Sequence, residues 1–503
     1  MQPRPIAEIA AAIDARIVQP GGADAPPDLL VGPDVVIDSH QATPGSLFVA
    51  FPGESVDGHD YVAAAVANGA AAAITQRPVE AGVPCLVVAD PQQALAALAR
   101  HVVATGPDLS VVGITGSSGK TSTKDLVGQV LRTAGPTVSP VGSFNNEIGA
   151  PLTATRCDEA TRYLVTEMGA RGLGHVAYLC TITPPTVGVV LNVGHAHLGE
   201  FGSQDVIARA KGELVEALGP DGWAVLNGDD PRVSAMSERT PAHIARFMVG
   251  ARPADGGEVL VWAEDVRPDE LDRFSFTLHI EDRTGRMPDG TEVVTSTFPV
   301  RLRQLGAHQV PNALAAAAVG YVLGIDTERI ARALTGAQAL SPWRMEVTER
   351  ADGVVVLNDT YNANPDSMAS ALATLARIGD RRRARDPRAR VWALLGDMLE
   401  LGEAAAGEHH RIGALAAGLG VTDLLAIGEY ADDIVAGATQ SAVDIRAGVV
   451  ADKFAMATSA APLGPADVVL VKASRGLALE TVAAALAAGV TGQPNADETG
   501  GAR

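Results

Sequence analysis

An apolar, β-type run at residues 109–114 enters a turn holding two glycines and leaves it through Lys120 and Thr121 into a helix-like segment at 124–132. No other stretch constrains the fold as strongly as this one, Thr115-Gly116-Ser117-Ser118-Gly119-Lys120-Thr121-Ser122. Strand, glycine turn, Lys-Thr and helix make up the layout of a loop that wraps phosphate. Glycines let the backbone curl until several N–H groups point at one anion. The following helix adds the positive end of its dipole. Lys120 is placed to reach β- and γ-phosphates, and the Thr121 hydroxyl to hold Mg²⁺. The common form of the motif has a glycine where Ile114 stands. Here it sits at Gly116, giving Gly-x-x-Gly-Lys-Thr, which argues against an ordinary GTPase or kinase loop.

The 503 residues suffice for three domains. A 47% hydrophobic but only 4% aromatic composition, rich in alanine and glycine, suits layered α/β packing. Turn residues divide the chain at Thr105-Gly106-Pro107-Asp108 and at Leu340-Ser341-Pro342. The expected architecture is α/β in three domains. A small N-terminal α/β domain spans 1–105, a central P-loop ATPase-like domain 106–340, and a C-terminal doubly wound, Rossmann-like domain 341–492. Residues 493–503 read as a disordered tail. The stretch 258–300 alternates like an antiparallel insertion or edge. No apolar run reaches membrane-spanning length, no signal peptide opens the chain, and Cys85, Cys157 and Cys180 lack metal-ligand spacing, so a cytoplasmic, reduced setting is expected. A net charge of -20 speaks against a nucleic-acid binder. Positive charge for an anionic ligand must then be local, with Lys120, Arg344, Lys472 and Arg475 as candidates.

Three further constellations fall in the central part. Glu167 ends the strand-like run 163–165, where a carboxylate can serve Mg²⁺. His195 and His197 follow the apolar run 189–191 and read either as ligands or as a satisfied core pair. Lys211 sits in the helical segment 208–213 and reads as a site residue or a solvated side chain. His59, just before an alanine-rich helix, is a ligand-binding residue or a helix cap. The run Asp380-Arg381-Arg382-Arg383-Ala384-Arg385 reads as a solvated loop.

With these residues in view, the chain resembles the Mur ligases, the ATP-dependent amide-forming ligases of peptidoglycan precursor synthesis. Thr115 to Thr121 matches the family's shortened phosphate loop. Glu167, His197 and Lys211 fall at its three central positions, and Asn312 before an alanine-rich helix matches its adenine-side motif. Four stretches are most similar to the members that add D-alanyl-D-alanine to a UDP-N-acetylmuramoyl-tripeptide. They begin at Ser143-Phe144-Asn145-Asn146, Asn358-Asp359-Thr360-Tyr361, Leu395-Gly396-Asp397-Met398 and Val471-Lys472-Ala473-Ser474-Arg475. The chain departs from the family pattern at His40, Gln309 and Ala473, where arginine, asparagine and glycine are usual.

The resemblance implies an ATP-dependent ligase working through an acyl phosphate. It implies ATP binding by Gly116, Ser117, Ser118, Gly119, Lys120, Thr121, Ser122, Asn227, Asn312, Arg344 and Asp359. Two Mg²⁺ ions would be held by Thr121, Glu167, His197 and a carbamylated Lys211. Lys120, Lys211, His197 and Arg344 would carry the catalysis. Ser39, Asp57, Gly58 and His59 would meet the uridine nucleotide, and Asn145, Asn146, Asn364, Ser367 and Arg475 the peptide substrates. The resemblance also implies a monomer. The rival readings are a sister ligase adding a single amino acid, diaminopimelate or lysine, and a P-loop ATPase regulator that ligates nothing. The Asp-Asn-Pro-Arg of the diaminopimelate-adding type has no counterpart in the third domain.

Overall fold

The computed structural model describes residues 1–19, 26–53, 56–140, 142–194, 201, 203–253, 256–285, 294–441 and 444–489. The expected tail at 493–503, and both His195 and His197, lie outside the described residues.

The first sheet has five strands in the order Arg16–Val18, Cys85–Val87, Ala72–Thr75, Leu47–Val49, Val35–Val36. It is parallel apart from the first pair. Helix Pro91–Ala104 starts where two local signals coincide. Proline fills the first position, and the Asp90 carboxylate accepts from the N–H groups of Gln92 and Gln93. Its Leu95, Leu98 and Val102 are buried in a core shared with one face of the next sheet.

That second sheet carries nine strands. Its order is Val294–Leu305, Arg273–Asp282, Val259–Pro268, His243–Val249, Trp223–Asn227, Val187–Val190, Ser110–Thr115, Tyr163–Glu167, Thr137–Val138. The two strands expected as an antiparallel edge are that edge. The seven others run parallel, and the inner ones, such as Ser110–Thr115 and Val187–Val190, are near-continuously apolar, as strands covered on both faces must be. From Ser110–Thr115 the chain builds outward to one side, then crosses to Val187–Val190 on the other. The phosphate loop therefore leaves the sheet at a topological switch point.

Helix Lys120–Arg132 follows the loop and buries Leu126, Val127, Val130 and Leu131, each contributing roughly 1.5–3 kcal/mol. Helix Gln309–Val322 is buried on nearly every side because its alanines allow close approach. A Cβ at Gly320 would lie 2.8 Å from Val130 Cγ1. This contact lays the two helices together and brings Asn312 to the phosphate loop.

The third sheet has six strands: Glu346–Glu349, Val355–Asp359, Val468–Lys472, Val391–Gly396, Asp423–Ile427, Arg446–Val449. All pairs are parallel except the first, and apolar clusters cover both faces, as a doubly wound sheet requires. Helix Pro365–Arg385 corrects one expectation. Residues 380–385 are its last turns rather than a loop. Cations suit a helix C-terminus, and these side chains have partners. Arg381 joins Arg377 on the fully buried Asp272, and Arg382 donates to the carbonyls of Ala466, Pro465 and Gly353.

Candidate active site

A cavity of about 540 Å³ opens where the phosphate loop faces the third sheet. Gly119 has φ 82°, the left-handed region, immediately before the helix. A Cβ there would sit 2.7 Å from Asn312 Oδ1, so both conformation and space call for glycine. The loop is braced from the neighbouring strand end. Asn192 Oδ1 accepts from the Ser118 N–H at 2.9 Å, its Nδ2 donates to Ser118 O at 3.1 Å, and its carbonyl accepts from the Ser117 N–H. Lys120 Nζ donates to Gly116 O at 2.7 Å and so lies folded over the loop. Burial lowers the Lys120 pKa, and the charge of Glu167 opposes that shift.

Glu167, at its strand's C-terminal end, is 1% exposed. It accepts from Thr121 Oγ1 at 2.8 Å, Asn145 Nδ2 at 2.9 Å and Ser143 Oγ at 3.1 Å. These are neutral donors, and among the described residues no cation pairs with it. Lys211 is 4% exposed and reaches the same cavity from helix Gln204–Glu216. Its pKa is lowered well below that of an ordinary lysine, chiefly by burial and then by the Lys120 charge.

The third sheet contributes the opposite wall. Arg344 lies in a turn flanked by two left-handed residues, Trp343 at φ 60° and Met345 at φ 49°. Such positions cost on the order of 1 kcal/mol each and persist where the surroundings impose them. Met345 N–H donates to Asp359 Oδ1 at 3.1 Å, and Arg475 lies over the Trp343 ring at 4.4 Å. The Arg344 guanidinium stacks on Tyr361 at 4.2 Å and reaches across to Ser143 Oγ at 3.4 Å. Its Nε is buried with no hydrogen-bond partner among the described residues.

The cavity thus gathers Ser117 to Ser122, Asn145, Asn146, Glu167, Lys211, Asn227, Asn312, Arg344, Asp359, Asn364, Ser367 and Arg475. Gly116 lies behind it, under Lys120. Some of these side chains also hold the fold. Asn227 donates to Leu191 O at 2.8 Å, and Asn312 to Gln309 Oε1 at 3.1 Å. Asn364 and Ser367 form the capping box of helix Pro365–Arg385. Arg475 pairs with Glu480 at 2.7 Å. Ser39, Asp57, Gly58 and His59 lie in the first unit, away from this cavity. His59 is 3% exposed, its Nδ1 2.5 Å from Asp57 Oδ1 and its Nε2 accepting from the Gln76 N–H. Asp57 is the cap of that turn, and the backbone N–H of His59 is the first cause holding its carboxyl down at about 2. Sequence reasoning gave no site role to Ser143, Asn192, His308 or Tyr361, all cavity residues, whereas Lys472, expected as local positive charge, does line the cavity.

Three family models match. They are the Mur ligase middle domain over residues 114–320, the Mur ligase glutamate ligase domain over 343–475, and the Mur ligase family catalytic domain over 34–102. The UDP-N-acetylmuramoyl-tripeptide--D-alanyl-D-alanine ligase of Mycobacterium tuberculosis is 44% identical, with 96% of this chain and 97% of that protein covered. The chain belongs to the Mur ligase family. The Escherichia coli enzyme of the same name is 34% identical over 90% of this Mur ligase family chain and 93% of its own. Among solved structures, MurF from Acinetobacter baumannii superposes with a TM-score of 0.80 at 30% identity, covering 97% of this chain and 99% of that one. MurF ligase from Thermotoga maritima, in complex with ADP, gives 0.72 at 28% identity, covering 91% and 97%.

Proposed function

We propose that this chain is the ATP-dependent ligase that joins D-alanyl-D-alanine to UDP-N-acetylmuramoyl-tripeptide, completing the pentapeptide precursor of peptidoglycan. The observation that carries the reading is the convergence of Lys120, Lys211 and Arg344, from two different sheets, on one cavity. A free carboxylate is a poor electrophile. Attack of the tripeptide's terminal carboxylate oxygen on the γ-phosphorus releases ADP and leaves an acyl phosphate. The dipeptide amine then attacks the acyl carbon, phosphate leaves with the C–O bond electrons, and the nitrogen gives up its proton.

Both steps crowd anionic oxygens together, so neutralising charge is the main demand. Lys120 approaches from the loop and Arg344 from the opposite wall, its guanidinium already reaching across to Ser143. Asn227 and Asn312 line the adenine end, and Asp359 meets the ribose. Glu167 and Thr121 fit a Mg²⁺ ion, because the buried carboxylate is hydrogen-bonded only to neutral donors and sits beside the Thr121 hydroxyl. When bound, such an ion neutralises phosphate oxygens and orients them. Lys211 fits carbamylation. Its lowered pKa favours the neutral amine, whose nitrogen can add CO₂ and release a proton, so that a neutral group beside Lys120 would become an anionic oxygen ligand. His197 is assigned to the second ion by its place in the sequence. The first unit, with Ser39, Asp57, Gly58 and His59, receives the uridine nucleotide. Asn145, Asn146, Asn364, Ser367 and Arg475 serve the peptides. No described helix is long and apolar enough to cross a membrane. A cytoplasmic monomer is the setting that the family resemblance implies.

Phosphate release from ATP tests this reading. It should require both the UDP-linked tripeptide and D-alanyl-D-alanine and yield the pentapeptide by mass. Turnover with a dipeptide precursor and a single amino acid, or turnover indifferent to any acceptor, would overturn it.

A further inference from the structure

Lys124 lies one turn beyond Lys120 on the helix after the phosphate loop. It is 1% exposed, although nothing about phosphate binding needs a second buried lysine there. Its ammonium donates to Pro140 O at 2.7 Å, Gly142 O at 3.3 Å and Ser341 Oγ at 3.4 Å, and it pairs with Asp125 at 2.5 Å. The other Asp125 oxygen accepts from the Ser341 N–H at 3.0 Å. One turn on, Gln129 exchanges two hydrogen bonds with the backbone of Gln338, at 2.9 and 3.0 Å. Three consecutive contacts therefore fasten the segment joining the second and third sheets along this helix.

Both segments that Lys124 grips lead directly into the site. Gly142 precedes Ser143, which bonds Glu167 and receives Arg344. Ser341 lies three residues before Arg344 itself. We propose that Lys124, with Asp125, is a positioning residue for the ligase reaction. It sets the register of Ser143 and Arg344 against the phosphate loop, without touching substrate. This rests on the ligase reading above. A buried ammonium suits the task because its three N–H donors can bridge the 140–142 segment, Ser341 and the Asp125 carboxylate at once. Charge assistance makes those bonds stronger than neutral ones.

The test uses the full-length protein and the complete reaction, with the wild-type rate as the check on the ligase reading itself. Lys124→Met should lower kcat by about 10- to 100-fold, the scale of a small misplacement of a catalytic group. ADP affinity, governed by the loop, should stay within about twofold. Lys124→Arg should recover part of kcat. The deciding readout is a cycle with Arg344→Ala. If Lys124 works through Arg344, then Lys124→Met costs little more in that background. Should Lys124→Met prove poorly folded, Ser341→Ala, which removes only a linker hydroxyl, should show the same non-additivity on a smaller scale. Full multiplication of the two effects, or a kcat unchanged in folded Lys124→Met and Ser341→Ala proteins, would overturn the proposal.

Discussion

Asp359 and Lys472 stand opposite each other on adjacent parallel strands, and the ammonium lies 2.5 Å from the carboxylate. Lys472 also donates to Asn362 O at 2.8 Å, while the other Asp359 oxygen holds the Met345 N–H. The ammonium is buried and the carboxylate is 14% exposed at the cavity wall, and the pair shapes the strained turn that presents Arg344. Lys472→Met should therefore act twice. It leaves a part-buried carboxylate unpaired, at a cost of about 1–3 kcal/mol, and it loosens Arg344. Chemical denaturation should show the stability loss, and steady-state kinetics a kcat fall exceeding any change in KM for ATP.

Lys211 yields a prediction about CO₂. Because burial lowers its pKa, the neutral amine is present at lower pH than for a surface lysine. Carbamate formation, and activity with it, should rise as pH rises through that lowered pKa. Protein stripped of bicarbonate should lose activity and regain it when bicarbonate is restored. A carbonyl resonance from labelled bicarbonate should appear in the wild type and be absent from Lys211→Ala.

Asp272 tests how the second and third sheets are joined. It is fully buried, sits in a tight turn at φ 64°, and accepts from Arg377 at 2.7 Å and Arg381 at 3.2 Å on helix Pro365–Arg385. Removing it leaves two guanidiniums without their counter-charge. Asp272→Ala should cost about 3 kcal/mol or more. Because the contact crosses between sheets, calorimetry should show a broadened or split unfolding transition, whereas a uniform shift would mean the contact is not what couples them.

His308 predicts an acid limit. Its Nδ1 lies 2.9 Å from Ser370 Oγ, and burial pushes its pKa from 6.5 down to about 4. The unfolded chain binds this proton more readily, so the stabilisation is present above about 6.5 and is lost as pH falls toward 4. The ring is only partly buried, so the loss should be on the order of 1–3 kcal/mol. Denaturation midpoints of His308→Gln should depend less on pH across that window than those of the wild type.

What could be read from the sequence was whatever local rules decide. The phosphate loop is a contiguous run whose glycines, lysine and helix start are all set within a few residues. The parallel strands, and an antiparallel edge expected within 258–300 and found at Arg273–Asp282 and Val294–Leu305, follow from apolar patterning. Asn312 became a site candidate only through resemblance to the family, and for Lys211 the resemblance decided between a site residue and a solvated side chain, since a lysine in a helix and an asparagine before alanines carry no chemistry by themselves. Tertiary partners could not be read. The arginines at 380–385 look solvated until Asp272, more than a hundred positions earlier, is folded against them. Asn192 looks like any strand-end residue until the sheet sets it beside Ser118. Asn364 and Ser367 carry a local capping pattern that coincides with the cavity wall, so one pair of side chains answers to two demands.

The central claim is that the tripeptide carboxylate is activated by phosphorylation in this cavity, and one isotope experiment addresses it most directly. The UDP-linked tripeptide is prepared with heavy oxygen in its terminal carboxylate, and the phosphate released during ligation is weighed by mass spectrometry. The account predicts one heavy oxygen in each phosphate formed, in step with pentapeptide, and none when D-alanyl-D-alanine is omitted and turnover stops. Phosphate that takes its oxygen from water while pentapeptide accumulates would contradict it.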